Sequence, residues 1–475
     1  MKVLLINTPI DRHDILGNFQ GIYKDMIMLP TGIAHLAGFM RQAGIDVRVI
    51  DEYALLLPIP EVVAQIRGFG PDLIGYSATT PNYFAAIEMA REVKKHISGV
   101  PVLFGGIHPS IFPEEVLKDP IVDYVIRDEA EMPLLGLCEA LQGKRAFESI
   151  LGLSFKTLSG RVHNPRTPPV QLDQLPFPAY DLLPMNLYSS PSYTKFATPV
   201  YQMVASRGCP FACSYCVNAE SNVAARYRRR SLDRVIEEME LLADRFGARQ
   251  IQFWDPVFPL GEKHAFEFCT KVIERGLHKR VVWNCTTRPD ILSESVIKMM
   301  VKAGCKGVGF GIESGVPELL ARVNKRLELD KIRSACRIAT KNGLLVMSGF
   351  IIGMPGETPE MTQRTIDFAK SLDLHYAQFS VLVPYPGTPL YRELKAAGEI
   401  DAATENDFVR YNQSVGLTDK EPVWIPKGRT ASELKAWQKK AYVQFYLRPR
   451  MIWMHLPHLK WSKIAGMVRA FTAVL

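Results

Sequence analysis

The sequence predicts an α/β protein built from two parallel-sheet regions and a helical C-terminal tail. Three observations predict it. Buried-strand and helical patterns alternate from the N-terminus to about residue 140; the alternation lapses over 141–195; it then resumes as six strand–helix units between about 196 and 400. Strands separated by helices imply right-handed crossovers, giving a doubly wound parallel sheet first and a barrel or partial (β/α)6 barrel second. The expected domains are 1–140, a hairpin and proline-rich linker over 141–195, 196–400, and a basic helical region over 401–475.

In the first region "KVLLINTP" reads as a buried strand, and "PTGIAHLAGFMRQAG" as a helix opened by Pro30 and closed by Gly44. "DVRVID", "DLIGYSA", "PVLFGG" and "DYVIRDEAE" supply further strands, separated by the helical "IPEVVAQIRGF", "NYFAAIEMAREVKKH" and "PEEVLKD". Doubly wound sheets bind ligands at the carboxyl ends of their strands. Those ends carry small or polar groups: Asn7 and Thr8, Ser77 to Thr80, and Gly105 with Gly106. Plain turn chemistry explains any one of them; three at one sheet edge favour a ligand.

"SFKTLSGRVHNP" reads as a hairpin and "PRTPPVQLDQLPFPAYDLLP" as an extended linker. Beyond it, strands end at "VYQMVAS", "RQIQFWD", "VVWNCTT", "GVGFGIES", "LVMSGFIIG" and "AQFSVLV", with helices such as "SLDRVIEEMELLADRF" and "SESVIKMMVKAG" between them. Chemistry in such barrels sits at the C-terminal strand ends.

Composition restricts the function classes. Apolar content of 47% and charged content of 22% describe an ordinary globular protein. Eight cysteines in 475 residues form no secreted disulfide pattern, no signal peptide is expected and no run is apolar enough to span a bilayer, so a reducing cytoplasm is the expected location. The net charge of +8 is concentrated at the end: residues 426–475 hold ten basic side chains against Glu433 alone, a local +9 that leaves the rest near −1. A nucleic-acid enzyme would carry that charge around its active site, and no nucleic-acid partner is expected.

The chemistry is announced by "RGCPFACSYCVNA", where Cys209, Cys213 and Cys216 form a C-x3-C-x2-C array directly after the first barrel strand. A closed structural zinc site wants four protein ligands, and a cubane cluster has four irons. Three thiolates leave one metal position open. The alternative is a zinc loop with a distant fourth ligand.

The spacing, the aromatic Tyr215 before the last cysteine and the strand-end position resemble the radical S-adenosylmethionine superfamily. The resemblance implies a 4Fe–4S cluster on the three cysteines, with S-adenosylmethionine chelating the fourth iron and being cleaved to a 5′-deoxyadenosyl radical. It also implies cofactor contacts from Tyr215, Asp255 in "FWDPVF", Arg288 in "CTTRPD", Glu313 and Ser314 in "GFGIESG", and Gly353 in "IIGMPGET". Asp255 and Arg288 have an equally ordinary reading as structural ion-pair partners. Cys138, Cys269, Cys285, Cys305 and Cys336 read as buried small hydrophobes.

The N-terminal features "INTP", "SATT", "FGGIHPSIFPEEVL" and "RDEAEMPL" resemble the cobalamin-binding members of that superfamily, the group of the anaerobic magnesium-protoporphyrin monomethyl ester cyclase and many radical methyltransferases. A Rossmann-like cobalamin domain followed by a radical S-adenosylmethionine barrel is implied, with Thr8, Ser77, Thr79, Gly105, Gly106, His108 and Glu129 around the cobalamin. Members usually show Gly-Glu-x-Glu where this chain has Asp128, Glu129 and Glu131. "DRHDILG" nearly spells the Asp-x-His-x-x-Gly motif that ligates cobalt, but Gly17 comes one residue late, so His13 is expected to be an ordinary loop histidine.

In the tail, Thr430 and Glu433 form a capping-box pattern ahead of a stripe of Leu434, Trp437, Ala441 and Phe445. A second stretch aligns Ile464, Met467, Val468, Phe471 and Val474 beside Lys460, Lys463 and Arg469. Such helices lie in a membrane interface or pack over a barrel mouth. The expected function is radical methylation of an unactivated carbon on an apolar, lipid or ring substrate, with an external reductant of flavodoxin or ferredoxin type and an anionic membrane surface as partners. A cobalamin-dependent cyclase, rearrangement or oxygenation enzyme is the alternative, and a non-catalytic cofactor sensor a more distant one.

Overall fold

The structure, a computed structural model, describes residues 1–9, 27–218, 227–400, 411 and 421–455. His13 and the second tail stretch lie outside the described residues. The chain divides into two compact units. The first comprises Met1–Pro191, Ser206–Gly208 and Glu220–Arg234; the second comprises Ser192–Ala205, Cys209–Ala219 and Val235–Leu475.

In the first unit, β1 (Lys2–Asn7), β2 (Asp46–Asp51), β3 (Leu73–Ser77), β4 (Val102–Gly105), β5 (Tyr124–Ile126), β6 (Leu153–Thr157) and β7 (Gly160–His163) form one sheet. Its order is β2-β1-β3-β4-β5-β6-β7. The first five strands run parallel, and the β6–β7 hairpin extends them antiparallel. Parallel strands are covered on both faces and so read as apolar runs rather than alternating ones; Val3, Leu4, Leu5 and Ile6 are all buried. The order reverses between β1 and β3, which places the switch-point crevice of a doubly wound sheet after Asn7 and Ser77.

The proline-rich segment, expected as an extended linker, is seated by specific bonds. It folds back on this unit: the Ala179 amide donates to the Ala34 carbonyl at 2.9 Å, and the Tyr188 hydroxyl donates to Asp51 at 2.6 Å. Gly38 permits this approach, since a Cβ there would stand 2.5 Å from the Phe177 carbonyl oxygen.

The second unit carries β8 (Val200–Met203), β11 (Gln250–Phe253), β12 (Val282–Thr287), β13 (Cys305–Glu313), β14 (Leu345–Ile352) and β15 (Tyr376–Val381). They lie parallel in sequence order, the expected six-stranded partial barrel. Phe253, Phe258, Phe268 and Trp283 interlock in its core at centroid separations of 4.1–5.9 Å.

A two-stranded ribbon, β9 (Ser206–Arg207) with β10 (Arg228–Arg229), belongs to the first unit and was not expected. The helix Ala431–Tyr446 starts as expected, with Thr430 accepting from the Glu433 amide at 3.2 Å. It lies along the edge strand β15. Gln438 donates to the Phe379 carbonyl at 2.6 Å. Tyr442 accepts from the Phe379 amide at 3.3 Å, and Tyr446 bonds both the amide and the carbonyl of Ala377 at 3.1 and 3.0 Å. Residues four apart on a helix share a face, so three side chains satisfy a strand edge that a further strand would otherwise pair with. The expected apolar stripe is thus partly replaced: Leu434, Ala441 and Phe445 are buried, Gln438 joins them, and Trp437 is half-buried beneath Lys440.

Candidate functional site

The cysteine loop leaves the C-terminal side of β8. It is pinned by main-chain bonds: Ser214 donates to Val323 at 3.0 Å, Leu390 donates to Ser214 at 2.9 Å, and Cys216 donates to Cys213 at 3.0 Å. Asn324 donates from its side chain to the Ala212 carbonyl at 2.8 Å. Cys213 is buried while Cys209 and Cys216 are half-buried, and all three are free thiols. The Asn218 amide approaches the Cys216 sulfur at 3.5 Å. Burial pushes the Cys213 and Cys216 thiols up; Lys325 and Arg288 pull Cys213 back. Thiolate ligation needs deprotonated sulfur, so these two cations favour the ligating form. Among the described residues no three His, Cys, Asp or Glu side chains close on a single ion; a cubane distributes its thiolates over separate irons. Three thiols on one loop are a donor set that suits three irons of a cubane and leaves the fourth open.

Beside the loop lies a cavity of about 250 Å³, lined by Tyr215, Cys216, Glu313, Phe350, Gln378 and Ser380 among others. Tyr215 packs on Val316, Leu319, Val323 and Met354. Burial, then Glu313 as charge and hydrogen-bond acceptor, keeps its hydroxyl protonated. Glu313 has φ +72° and pairs with the buried Lys325 at 3.1 Å. Burial would lower the Lys325 ammonium, but Glu313 and Cys213 outweigh it and hold it above its ordinary value. Gly311 makes room for this pair: a Cβ there would lie 3.0 Å from both Glu313 Oε1 and Lys325 Nζ.

The other sequence-predicted residues are not among those lining the cavity. Asp255, nearly fully buried, accepts from the Ala205 amide at 2.9 and 3.1 Å. Arg288 forks onto Asp290 at 2.8 and 2.9 Å, donates to the Lys325 carbonyl at 3.2 Å and stacks over Phe211 of the cysteine loop at 4.1 Å. Ser314 is buried against Thr365 at 3.0 Å. Gly353, at φ +84°, gives its amide to the buried Glu357 at 2.5 Å. Lys325 and Glu357 were not anticipated: a lysine in "NKR" reads as a surface residue, and only its left-handed neighbours Asn324 and Arg326 mark a constrained turn.

In the first unit, Thr8 and Thr79 meet at the switch point through a residue the sequence did not single out. Asn82 donates to the Thr8 carbonyl at 3.0 Å and accepts from the Thr79 amide and hydroxyl at 2.6 and 2.9 Å. Ser77 is half-buried beside them and Thr79 is exposed. Gly106 has φ +101°, and a Cβ there would strike the Ala78 carbonyl at 2.6 Å, which keeps the β3 and β4 ends in contact, with Gly105 bonded to Ala78 at 2.8 Å. Small groups at a switch point are where doubly wound sheets take their ligands. His108 meets the same edge through its main chain, its amide donating to the Ala78 carbonyl at 3.2 Å, while its side chain turns into the core. It is fully buried, stacked on Tyr83 at 4.2 Å and 3.3 Å from the Thr80 hydroxyl, and burial pushes it down to about 3. Asp128 takes the glycine position at φ +66°, a conformation that aspartate tolerates better than most residues. Glu129 accepts from the Val170 amide at 3.0 Å and pairs with Arg228 and Arg207.

A B12 binding domain model matches residues 25–137 and a radical SAM superfamily model matches residues 203–369. An uncharacterized methyltransferase of Pyrococcus horikoshii is 35% identical over 93% of this chain and 94% of its own length. The chain belongs to the cobalamin-binding radical S-adenosylmethionine family. This is an enzyme family whose cofactors are a 4Fe–4S cluster, S-adenosylmethionine and cobalamin, and it requires an external reductant. An anaerobic magnesium-protoporphyrin IX monomethyl ester cyclase of Rubrivivax gelatinosus is 30% identical over 81% of the chain and 68% of that protein. In fold the chain resembles a radical S-adenosylmethionine methyltransferase from Kitasatospora setae (TM-score 0.71, 19% identity, covering 100% of this chain and 98% of that one).

Proposed function

We propose that this enzyme methylates an unactivated carbon of a largely apolar substrate, and that Cys209, Cys213 and Cys216 hold the cluster. The observation that carries the reading is the cavity at the barrel's strand ends, where Cys216, Tyr215 and Glu313 meet a wall of Phe350, Ile351 and Val381. When bound, the cluster and S-adenosylmethionine supply a hydrogen-abstracting radical, and cobalamin supplies the methyl group. Lys325 and Glu313 would orient the charged groups of the cofactor. The apolar wall would exclude water from the reacting carbon. Asp255, Arg288, Ser314 and Gly353 would fix the loops that hold it, and Thr8, Ser77, Thr79, Gly105 and Gly106 would line the cobalamin crevice.

The test is anaerobic reconstitution with iron, sulfide and cobalamin, then incubation with methyl-deuterated S-adenosylmethionine, a flavodoxin reductant and a lipid extract. 5′-Deoxyadenosine and a deuteromethylated product are expected, both absent in Cys213→Ala. Deoxyadenosine without label transfer points to the cyclisation, rearrangement or oxygenation alternative that the cyclase relative favours. No deoxyadenosine at all favours the sensor and sinks the proposal.

The tail adds a second reading, peripheral binding to an anionic membrane that delivers the substrate. No helix among the described residues is long and apolar enough to cross a membrane. The supporting observation is the pair Ile452 and Trp453, 48% and 74% exposed.

A further inference from the structure

The ribbon β9–β10 brackets the cysteine loop in sequence: Arg207 precedes Cys209 by two residues, and Arg228 follows Cys216 by twelve. Arg207 and Arg228 stand opposite each other in the ribbon's register. Both are partly buried guanidinium groups held by carboxylates that follow β5. Glu131 takes Arg207 at 2.6 Å, and Glu129 lies 3.5 Å from Arg207 and bonds Arg228. Arg228 also donates to the Val170 carbonyl at 2.5 Å, and Val170 returns its amide to Glu129 at 3.0 Å. Two cations and two anions thus form a neutral chain, Glu131–Arg207–Glu129–Arg228, whose carboxylates are only 16% (Glu129) and 5% (Glu131) exposed. The family resemblance implies a cobalamin contact for Glu129; in the structure its carboxylate pairs with Arg228 and Arg207.

We propose that Glu129 and Glu131, by clamping Arg207 and Arg228, fix the stem from which the cysteine loop is presented and act as positioning residues for the iron–sulfur cluster. Planar guanidinium forks hold carboxylates with directional paired bonds, so the clamp restrains orientation as well as distance. A loop bearing three ligands must keep its sulfurs in one arrangement, and it gains that rigidity most directly at its base.

The proposal rests on the cluster reading, and the experiment separates the two. Reconstituted full-length Arg207→Glu, Glu131→Arg and the double variant Glu131→Arg/Arg207→Glu are compared with the unmodified chain. Three quantities are read anaerobically: iron loss to EDTA, the change in the reduced cluster's resonance spectrum on adding S-adenosylmethionine, and the melting temperature. Each single reversal should shed iron about tenfold faster, as loss of an outer-shell support does, and should blunt the spectral change. The double variant should recover most of both. Arg161→Ala, which breaks an exposed pair with Glu114 on the same unit, should match the unmodified chain. If a single reversal fails to fold, Glu131→Gln carries the same comparison. An unmodified chain that takes up no iron defeats the cluster reading. Singles that hold iron like the unmodified chain, or a double no better than either single, defeat the clamp alone.

Discussion

Gly311 has no side chain where the Glu313–Lys325 pair needs space, and that makes it a sharp probe of the cavity. Gly311→Ala should leave the fold intact yet displace the pair, since its Cβ would fall 3.0 Å from both charged groups. Misplacing catalytic geometry by such amounts costs up to roughly 100-fold in rate, so deoxyadenosine formation should fall by one to two orders of magnitude with little change in melting temperature. An unchanged rate would remove the pair from the reaction. His108 gives a prediction in pH. Its folded value, about 3, lies below the 6.5 of a free histidine because it is buried. Between those values the unfolded chain binds the additional proton, so stability is fully present above about 6.5 and is lost as pH falls. His108→Phe keeps the stack on Tyr83 and removes that proton uptake. The acid limb of its stability profile should be flatter by up to about 1.4 kcal/mol per pH unit; identical limbs would place the titration elsewhere.

The edge of β15 is covered by side chains, and its energetics follow from the groups they satisfy. Gln438→Leu/Tyr442→Phe/Tyr446→Phe keeps the helix's packing but strips the partners of the Ala377 and Phe379 main-chain groups. Each buried group left unsatisfied costs about 1–3 kcal/mol, so chemical denaturation should show a loss of several kcal/mol. The bared edge should also raise self-association, measurable by sedimentation, because unpaired strand edges pair with one another. A variant as stable and monodisperse as the parent would mean the helix is only lightly seated. This element also shows what sequence can disclose. The six strands and their order were legible because parallel strands write themselves as continuous apolar runs, and the cysteine array because its spacing is written in the chain itself. Gln438 was not: a polar residue on an amphipathic helix reads as solvent-facing until its partner, 59 residues away, is known. Lys325, Asn82 and the arginines of the ribbon were hidden for the same reason. The proline-rich segment was read as a linker lying extended over the surface because of its composition; the residues that seat it, Ala179, Tyr180 and Tyr188, are all buried and do not stand out in the sequence.

Charge at the scale of the whole molecule looks different once partners are assigned. Of the tail's basic residues, Lys427 pairs with Glu399, Lys435 with Glu421 and Arg450 with Asp373 at 2.8–2.9 Å. Arg429 is buried with Glu433, and Arg448 bonds the Phe445 and Lys370 carbonyls. Five of the tail's seven basic groups among the described residues therefore already hold carboxylate or carbonyl partners. An anionic surface contributes roughly 1 kcal/mol for each basic residue near it, so the attraction should be weaker than the +9 suggests and lean on Trp453 and Ile452. Full-length protein should sediment with anionic liposomes at low salt, and Ile452→Ser/Trp453→Ser should stay largely in solution. If both behave alike, the tail's exposed pair has no part in membrane binding.

The ribbon of arginines also changes how such a protein is divided. A cut at Pro191 looks natural, because the first sheet and its covering segment are complete there. Yet it would strand Glu129 and Glu131 without Arg207 and Arg228, and breaking partly buried pairs one-sidedly costs about 3–5 kcal/mol. The seam between the two modules is not a point in the chain. A graft that moves the cobalamin module into another scaffold has to carry the two short, non-contiguous strips that hold Arg207 and Arg228 with it, and recombination at this boundary is tolerated when the parents supply complementary charges at the four positions.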